Sequence, residues 1–121
     1  MTARLARLKT RAEFLRVAAA RVSAGRPGLV LQAAPRPAEG EEVRVGFTAS
    51  RRVGNAVVRN RAKRRLRAAA ATVLGERGKA GTDYVLIARA DTGTRRYVEL
   101  IADLEGALRQ VGRKQSPKDK R

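Results

Sequence analysis

The stretch from residue 43 to residue 74 constrains the fold more than any other part of the chain. Between Val43 and Ser50, apolar residues alternate with polar residues or glycine, which is typical of a strand with one buried face. Gly54 and Asn55 end this strand, and Asn55 is a favourable N-cap for the helix that follows. The helix is predicted to reach about Leu74, because one stripe at helical spacing contains Val58, Ala62, Leu66, Ala69 and Val73. A strand that leads into a long amphipathic helix predicts a sheet with helices packed against it.

The first third of the chain adds a helix and a strand. Thr10 and Glu13 form a capping box, which predicts a first helix from there through Ala18. Glycine and proline at residues 25–28 are expected to stop it. Residues 29–34 follow as a short strand, and the short link after them predicts antiparallel pairing with the strand that starts at Val43.

The last third adds one more strand and one more helix. Residues 83–90 are mostly apolar and suit an interior strand. The last helix begins after Thr92-Gly93-Thr94, and its predicted buried stripe is Tyr97, Ile101, Leu104, Leu108 and Val111. The order helix, strand, strand, helix, strand, helix indicates an α+β fold with helices packed on a small sheet. At 121 residues we expect one domain, 1–112, with a disordered basic tail at 113–121.

The charge of the chain points to a polyanionic partner. Its 28 Lys and Arg against 11 Asp and Glu give a formal net charge of +17 at pH 7, and neutralising phosphates releases condensed counterions. Between Glu42 and Glu76 there are nine basic residues and no acidic one. If the apolar stripe of the second helix faces the sheet, Asn60, Lys63, Arg64 and Arg67 lie on the opposite face, flanked by Arg59 and Arg61. A merely solvated face is the alternative, but such faces usually mix both signs of charge.

Two further features suggest contacts with an anion or a base. Ser50, Arg51 and Arg52 leave the strand just before the helix N-terminus, where backbone donors and guanidinium groups converge. An ordinary strand–helix turn explains the same residues. Phe14 on the first helix is either a core residue or a surface on which an exposed base stacks.

Several classes of protein are disfavoured by what the sequence lacks. Cys and His are both absent, so thiolate chemistry, the commonest general base and the commonest metal ligand are missing. The few carboxylates are scattered, which leaves no credible catalytic or metal site. No apolar run approaches the roughly 20 residues of a membrane span, and a cytoplasmic location is expected.

Residues 52–67, RVGNAVVRNRAKRRLR, resemble the signature of the protein subunit of bacterial ribonuclease P. Residues 7–9 with Glu13 and Phe14, residues 44–47 and residues 87–89 resemble other segments of that family, so the resemblance covers nearly the whole chain. The family fold, of the type named after domain 2 of ribosomal protein S5, has the element order given above. It implies an uncommon left-handed crossover between parallel strands, whereas right-handed crossovers prevail generally.

The resemblance also implies a division of labour in removing the 5′ leader from precursor tRNA. A large catalytic RNA, using Mg²⁺ that it mainly holds itself, breaks the bond, and no obligate protein partner is implied. The residues matched to binding of catalytic RNA are Arg59, Asn60, Arg61, Lys63, Arg64 and Arg67. Those matched to the leader, in a cleft between the first helix and the sheet, are Phe14, Val17, Ser50, Arg51, Arg52 and Arg89. Ala18 and Gln32 stand where the family often has further aromatic residues.

Two other functions explain part of the sequence. A ribosomal protein or general RNA chaperone explains the charge and the fold, but not the specific run at residues 52–67. A stand-alone nuclease is disfavoured by the missing catalytic residues.

Overall fold

The computed structural model describes residues 5–36 and 40–115. Within these residues the chain forms five strands and three helices. The strands are β1 (Leu5–Arg7), β2 (Ser23–Arg26), β3 (Leu29–Pro35), β4 (Val43–Thr48) and β5 (Thr82–Ala88), and the helices are α1 (Arg11–Ala19), α2 (Ala56–Arg77) and α3 (Tyr97–Gln115). The predicted α+β class and the predicted order of the three helices are confirmed.

The strands form one mixed sheet in the order β1-β4-β5-β3-β2. Strands β1, β4 and β5 run parallel, whereas β2–β3 and β3–β5 pair antiparallel. The predicted pairing of β3 with β4 is therefore wrong, because β5 lies between them. Strand β5 is almost completely buried. A strand at the centre of the sheet has neighbours on both edges and helices on both faces, which explains this burial. Helix α2 is the crossover between the parallel strands β4 and β5.

The sequence did not predict the two edge strands. Strand β1 has three residues and β2 has four, too few for a recognisable alternation. Residues 25–28 end no helix but form the end of β2 and its turn into β3. Gly28 is required at this turn because a Cβ there would lie 2.6 Å from Oδ2 of Asp103, to which the Gly28 backbone N–H donates at 3.0 Å.

The helices lie on opposite faces of the sheet. Helices α2 and α3 cover one face, where Tyr84 and Leu86 of β5 belong to the main core. Helix α1 lies on the other face over β3 and β5, and a smaller cluster joins Val17 to Val85 and Leu8. The alternation of β4 matches this division, since Val43 and Val45 face the main core.

Helix α2 agrees with its prediction more closely than α3 does. Four residues of the predicted α2 stripe are buried, namely Ala62, Leu66, Ala69 and Val73, although the helix passes Leu74 and reaches Arg77. In α3 the predicted burial of Tyr97 is wrong, because 44% of Tyr97 is exposed and the buried stripe begins at Leu100. Residues 113–115 are helical and not part of a disordered tail; residues 116–121 lie outside the described residues.

Candidate nucleic-acid interface

The exposed face of α2 carries the predicted RNA-binding residues. The helix begins where the side chain of Asn55 accepts a hydrogen bond from the Val58 backbone N–H at 2.9 Å, which confirms the N-cap. Asn60, Arg61, Arg64 and Arg67 are exposed, and Arg59 and Lys63 are half-buried. We call these six residues the α2 basic face. In the described ranges no carboxylate pairs with any of its five cations.

Two guanidinium groups of this face have further structural features. The Nε of Arg59 is buried and has no hydrogen-bond acceptor within the described residues. The guanidinium of Arg67 lies over the ring of Phe47, 5.6 Å from the ring centre, in a cation–π contact. Neither group has a carboxylate partner among residues 5–36 and 40–115, which suits contact with an external anion.

Arg65 belongs to the same basic run but has a different role. It points away from the α2 basic face and donates hydrogen bonds to the carbonyl oxygens of Gly93, at 3.1 Å, and of Arg95. These bonds fasten α2 to the turn between β5 and α3. Arg65 is adjacent in sequence to cations of the α2 basic face. On the helix wheel it lies between the buried stripe and Arg61, and this position is the signal that distinguishes it.

A second group of cations lies where β4 and β5 end. Because these strands are parallel, Ser50, Arg51 and Arg52 after β4 emerge at the same end of the sheet as Arg89 after β5. All four residues are exposed. Arg89 is fixed in part by its hydrogen bond to the carbonyl oxygen of Arg26 at 3.0 Å. The N-terminus of α2 is at this end, so backbone N–H groups add to the positive potential there.

The two predicted leader residues of α1 differ in their exposure. Val17 is 0% exposed and packs α1 on the sheet, so it offers no surface for a leader to contact. Phe14 is half-buried beside the same cluster. A Cβ on Gly46 would lie 2.5 Å from two carbons of the Phe14 ring, so the glycine allows the ring to lie directly on β4. Phe14 is thus a packing residue that retains an exposed part.

Asp83 is the centre of an ionic cluster that the sequence did not reveal. Its carboxylate is 0% exposed and accepts two bonds from Arg44, at 2.7 and 2.8 Å, one from Arg36 at 2.8 Å and one from Arg16. Arg44 also donates to Glu13 at 3.1 Å. We call these five residues the Asp83 cluster. It joins α1, β4, β5 and the residue after β3, so it fixes α1 to the sheet through Glu13 and Arg16.

The two carboxyl groups of the Asp83 cluster are stabilised as anions. Burial raises the pKa of Asp83, but the hydrogen bonds from Arg44, Arg36 and Arg16 outweigh it and leave the pKa below its ordinary value. The pKa of Glu13 is lowered chiefly by the backbone N–H groups of Lys9 and Thr10, at 2.6 and 3.0 Å. In the sequence Arg44 belongs to the basic stretch that contains no acidic residue. In the structure it is paired with the carboxylates of this cluster.

The sequence profile of the family Ribonuclease P matches residues 2–112. The chain belongs to the ribonuclease P protein family. It is 54% identical to the ribonuclease P protein component of Paramagnetospirillum magneticum over 115 residues, which cover 93% of this chain and 86% of that one. With the corresponding protein of Gluconacetobacter diazotrophicus the identity is 48% over 112 residues, covering 93% and 96% of the two chains.

Solved structures of the family have the same fold. The ribonuclease P protein of Staphylococcus aureus superposes with a TM-score of 0.71 at 25% identity, covering 85% of this chain and 92% of that one. That of Thermotoga maritima gives a TM-score of 0.71 over 84% and 94% of the two chains, and at 24% identity it supports the fold alone.

Membership of this family decides between the functions left open by the sequence. The chain is a protein component of ribonuclease P, with a role in maturation of tRNA 5′ ends and the ribonuclease P RNA as its partner. Family membership therefore argues against the alternative of a ribosomal protein or general RNA chaperone. In the described ranges, no helix combines the length and the apolar character needed to cross a membrane.

Proposed function

We propose that the α2 basic face binds the catalytic RNA, and that the end of the sheet where β4 and β5 finish, together with the exposed part of Phe14, binds the 5′ leader of precursor tRNA. The observation that carries this proposal is the contrast in pairing. The five cations of the α2 basic face have no carboxylate partner in the described part of the chain, whereas the buried Asp83 is paired with three arginines. Cations left without an internal partner at four-residue spacing, such as Lys63 and Arg67, repel one another until an external anion neutralises them.

The leader site is proposed from the convergence of Ser50, Arg51, Arg52 and Arg89 at one end of the sheet. Three guanidinium groups and a helix N-terminus suit the phosphates of a single strand. The exposed part of Phe14 supplies a surface for one base. Val17 supports Phe14 from within the core and is left out of the contact set.

We assign the bond-breaking step to the RNA. Among the described residues no group of three or more carboxylates is placed to hold a metal ion, and both oxygens of Asp83 already accept bonds from arginine. The Asp83 carboxylate is therefore not free to coordinate Mg²⁺, which takes oxygen ligands. We therefore infer that Mg²⁺ is bound mainly by the RNA.

Cleavage of precursor tRNA at low Mg²⁺, with the cognate RNA and with or without this protein, tests the proposal. The protein is expected to lower the Mg²⁺ concentration that the RNA requires and to cleave nothing alone. Arg64→Ala should weaken this effect, whereas Arg77→Ala should not, since Arg77 lies at the far end of α2 and is paired with Glu105 at 3.6 Å. Cleavage by the protein alone, or an unchanged Mg²⁺ requirement, contradicts the proposal.

A further inference from the structure

A small apolar notch opens beside the α2 basic face, between α2 and the edge of the sheet. Its volume is about 110 Å³, and its walls are Leu5 of β1, Val45 and Phe47 of β4, and Ala71 of α2. Ala6 also lines it, and the exposed side chains of Arg7 and Arg67 form its rim. Since one water occupies only about 30 Å³ of liquid, the notch is too large to be filled by a single water and too apolar to order several.

Its surroundings distinguish this notch from the larger cavity near α1. That cavity, of about 460 Å³, is lined by Arg7, Lys9 and Arg44 but also by Glu13 and Glu42. The two carboxylates repel a phosphate, and Arg44 is already held by Asp83 and Glu13. Among the described residues the apolar notch has no carboxylate in its lining, and both charged groups at its rim are guanidinium groups.

We propose that the notch accepts one unpaired nucleobase of the ribonuclease P RNA, while Arg67 and Arg7 contact the phosphates on either side of that base. Unpaired RNA bases stack on guanidinium planes as well as on aromatic rings. The guanidinium of Arg67, which itself lies over the Phe47 ring, is at the notch. The apolar walls take the base, and the positive rim takes its backbone. This proposal rests on the proposed docking of the α2 basic face, because Arg67 belongs to both.

The base contact differs from the rest of the interface in how it responds to salt. Phosphate contacts release counterions and steepen the dependence of affinity on salt, whereas a base held by apolar packing releases none. Filling the notch with protein atoms is therefore expected to lower affinity without changing the salt dependence. Removing a cation of α2 lowers both.

Ala71→Leu tests this, with Thr72→Leu as its matched control. Both positions are exposed on α2, and leucine is a good helix former at either, but only residue 71 lines the notch. Affinity of the full-length protein for the cognate catalytic RNA is measured at several salt concentrations. We expect Ala71→Leu to weaken binding about 10-fold, within the range for one stacked base, with an unchanged salt slope. Thr72→Leu is expected to change the affinity less than 2-fold, because its side chain meets no base.

Equal affinities of the two leucine variants overturn the base site. A dimer in the wild type that Ala71→Leu disperses, with RNA affinity unchanged, also overturns it by assigning the notch to a second copy of the chain. These outcomes are separable from failure of the proposed function, since in that case the wild type itself shows no salt-dependent binding to the RNA. Thermal unfolding of both variants shows whether either one is misfolded.

Discussion

The Asp83 cluster and the α2 basic face are both rich in arginine, yet they differ in where their counter-charge comes from. In the Asp83 cluster three arginines meet two carboxylates of the same chain. On the α2 basic face five cations meet no carboxylate within the described residues. Arginines therefore stabilise the fold in one region, whereas those of the other region are proposed to meet an external anion. Pairing within the structure, and not arginine content, separates the two.

The comparison predicts that the Asp83 cluster governs stability. Asp83→Ala leaves three arginines facing one another around a buried site, and it should lower the free energy of unfolding by about 3 kcal/mol. Denaturant unfolding measures this. Glu105→Ala is the matched control, because it removes only a surface pair with Arg77, which is worth about 0.5 kcal/mol. A loss below about 1 kcal/mol for Asp83→Ala means that the cluster does not anchor α1.

Phe14 lies on the helix that the Asp83 cluster anchors, and it is expected to act in both stability and binding. Phe14→Ala should cost about 2 kcal/mol of unfolding free energy, less than a fully buried Phe, because the ring is only half-buried on Gly46. It should also weaken binding of precursor tRNA relative to mature tRNA by about 1 kcal/mol. Leu15→Ala, at a neighbouring position that is 53% exposed, should do neither. An equal loss for both tRNAs assigns Phe14 to packing alone.

Arg65 lies within the basic run of α2, but its guanidinium donates hydrogen bonds to carbonyl oxygens of the protein itself. Arg65→Ala removes two hydrogen bonds to the turn at residues 93–95 and should cost about 1.5 kcal/mol of stability. It should leave the salt slope of RNA binding unchanged. A shallower slope with unchanged stability would move Arg65 to the RNA interface.

The pH dependence of stability should arise mainly from the Asp83 cluster. The pKa values of Asp83 and Glu13 are lower in the folded chain, so their contribution is fully present above the unfolded values of about 4. It is lost as the pH falls through the folded values. Unfolding measured from pH 7 down to pH 2 should show a steep loss only below about pH 4, reduced in Asp83→Asn. An equally steep loss in Asp83→Asn assigns the effect to other groups.

Local sequence signals predicted those parts of the fold that local contacts determine. The capping box at Thr10, the N-cap at Asn55 and the buried stripe of α2 all involve residues a few positions apart. Strands β1 and β2 carry no such signal, because they form by pairing with other strands of the sheet. The pairing of β3 and β4 was predicted wrongly because a short link favours neighbours, whereas burial of β5 decided the order.

The candidate site divides in the same way. The α2 basic face follows from the helix wheel and from the run without acids. The Asp83 cluster does not, because its arginines lie 39, 47 and 67 residues from Asp83 along the chain. The apolar notch likewise needs β1, β4 and α2 to be placed in space. Sequence reasoning therefore identified the cations but, apart from the helix-wheel position of Arg65, did not reveal which of them already have partners.

The salt dependence of binding to the catalytic RNA tests the central claim most directly. For the double variant Arg61→Ala/Arg64→Ala, the plot of log affinity against log salt should lose roughly 1.5 units of slope, as expected for two phosphate contacts. Arg16→Ala, which removes a cation of the Asp83 cluster, should keep the wild-type slope. A wild-type slope in the double variant, or an equal loss of slope in Arg16→Ala, contradicts the distinction between paired and unpaired arginines.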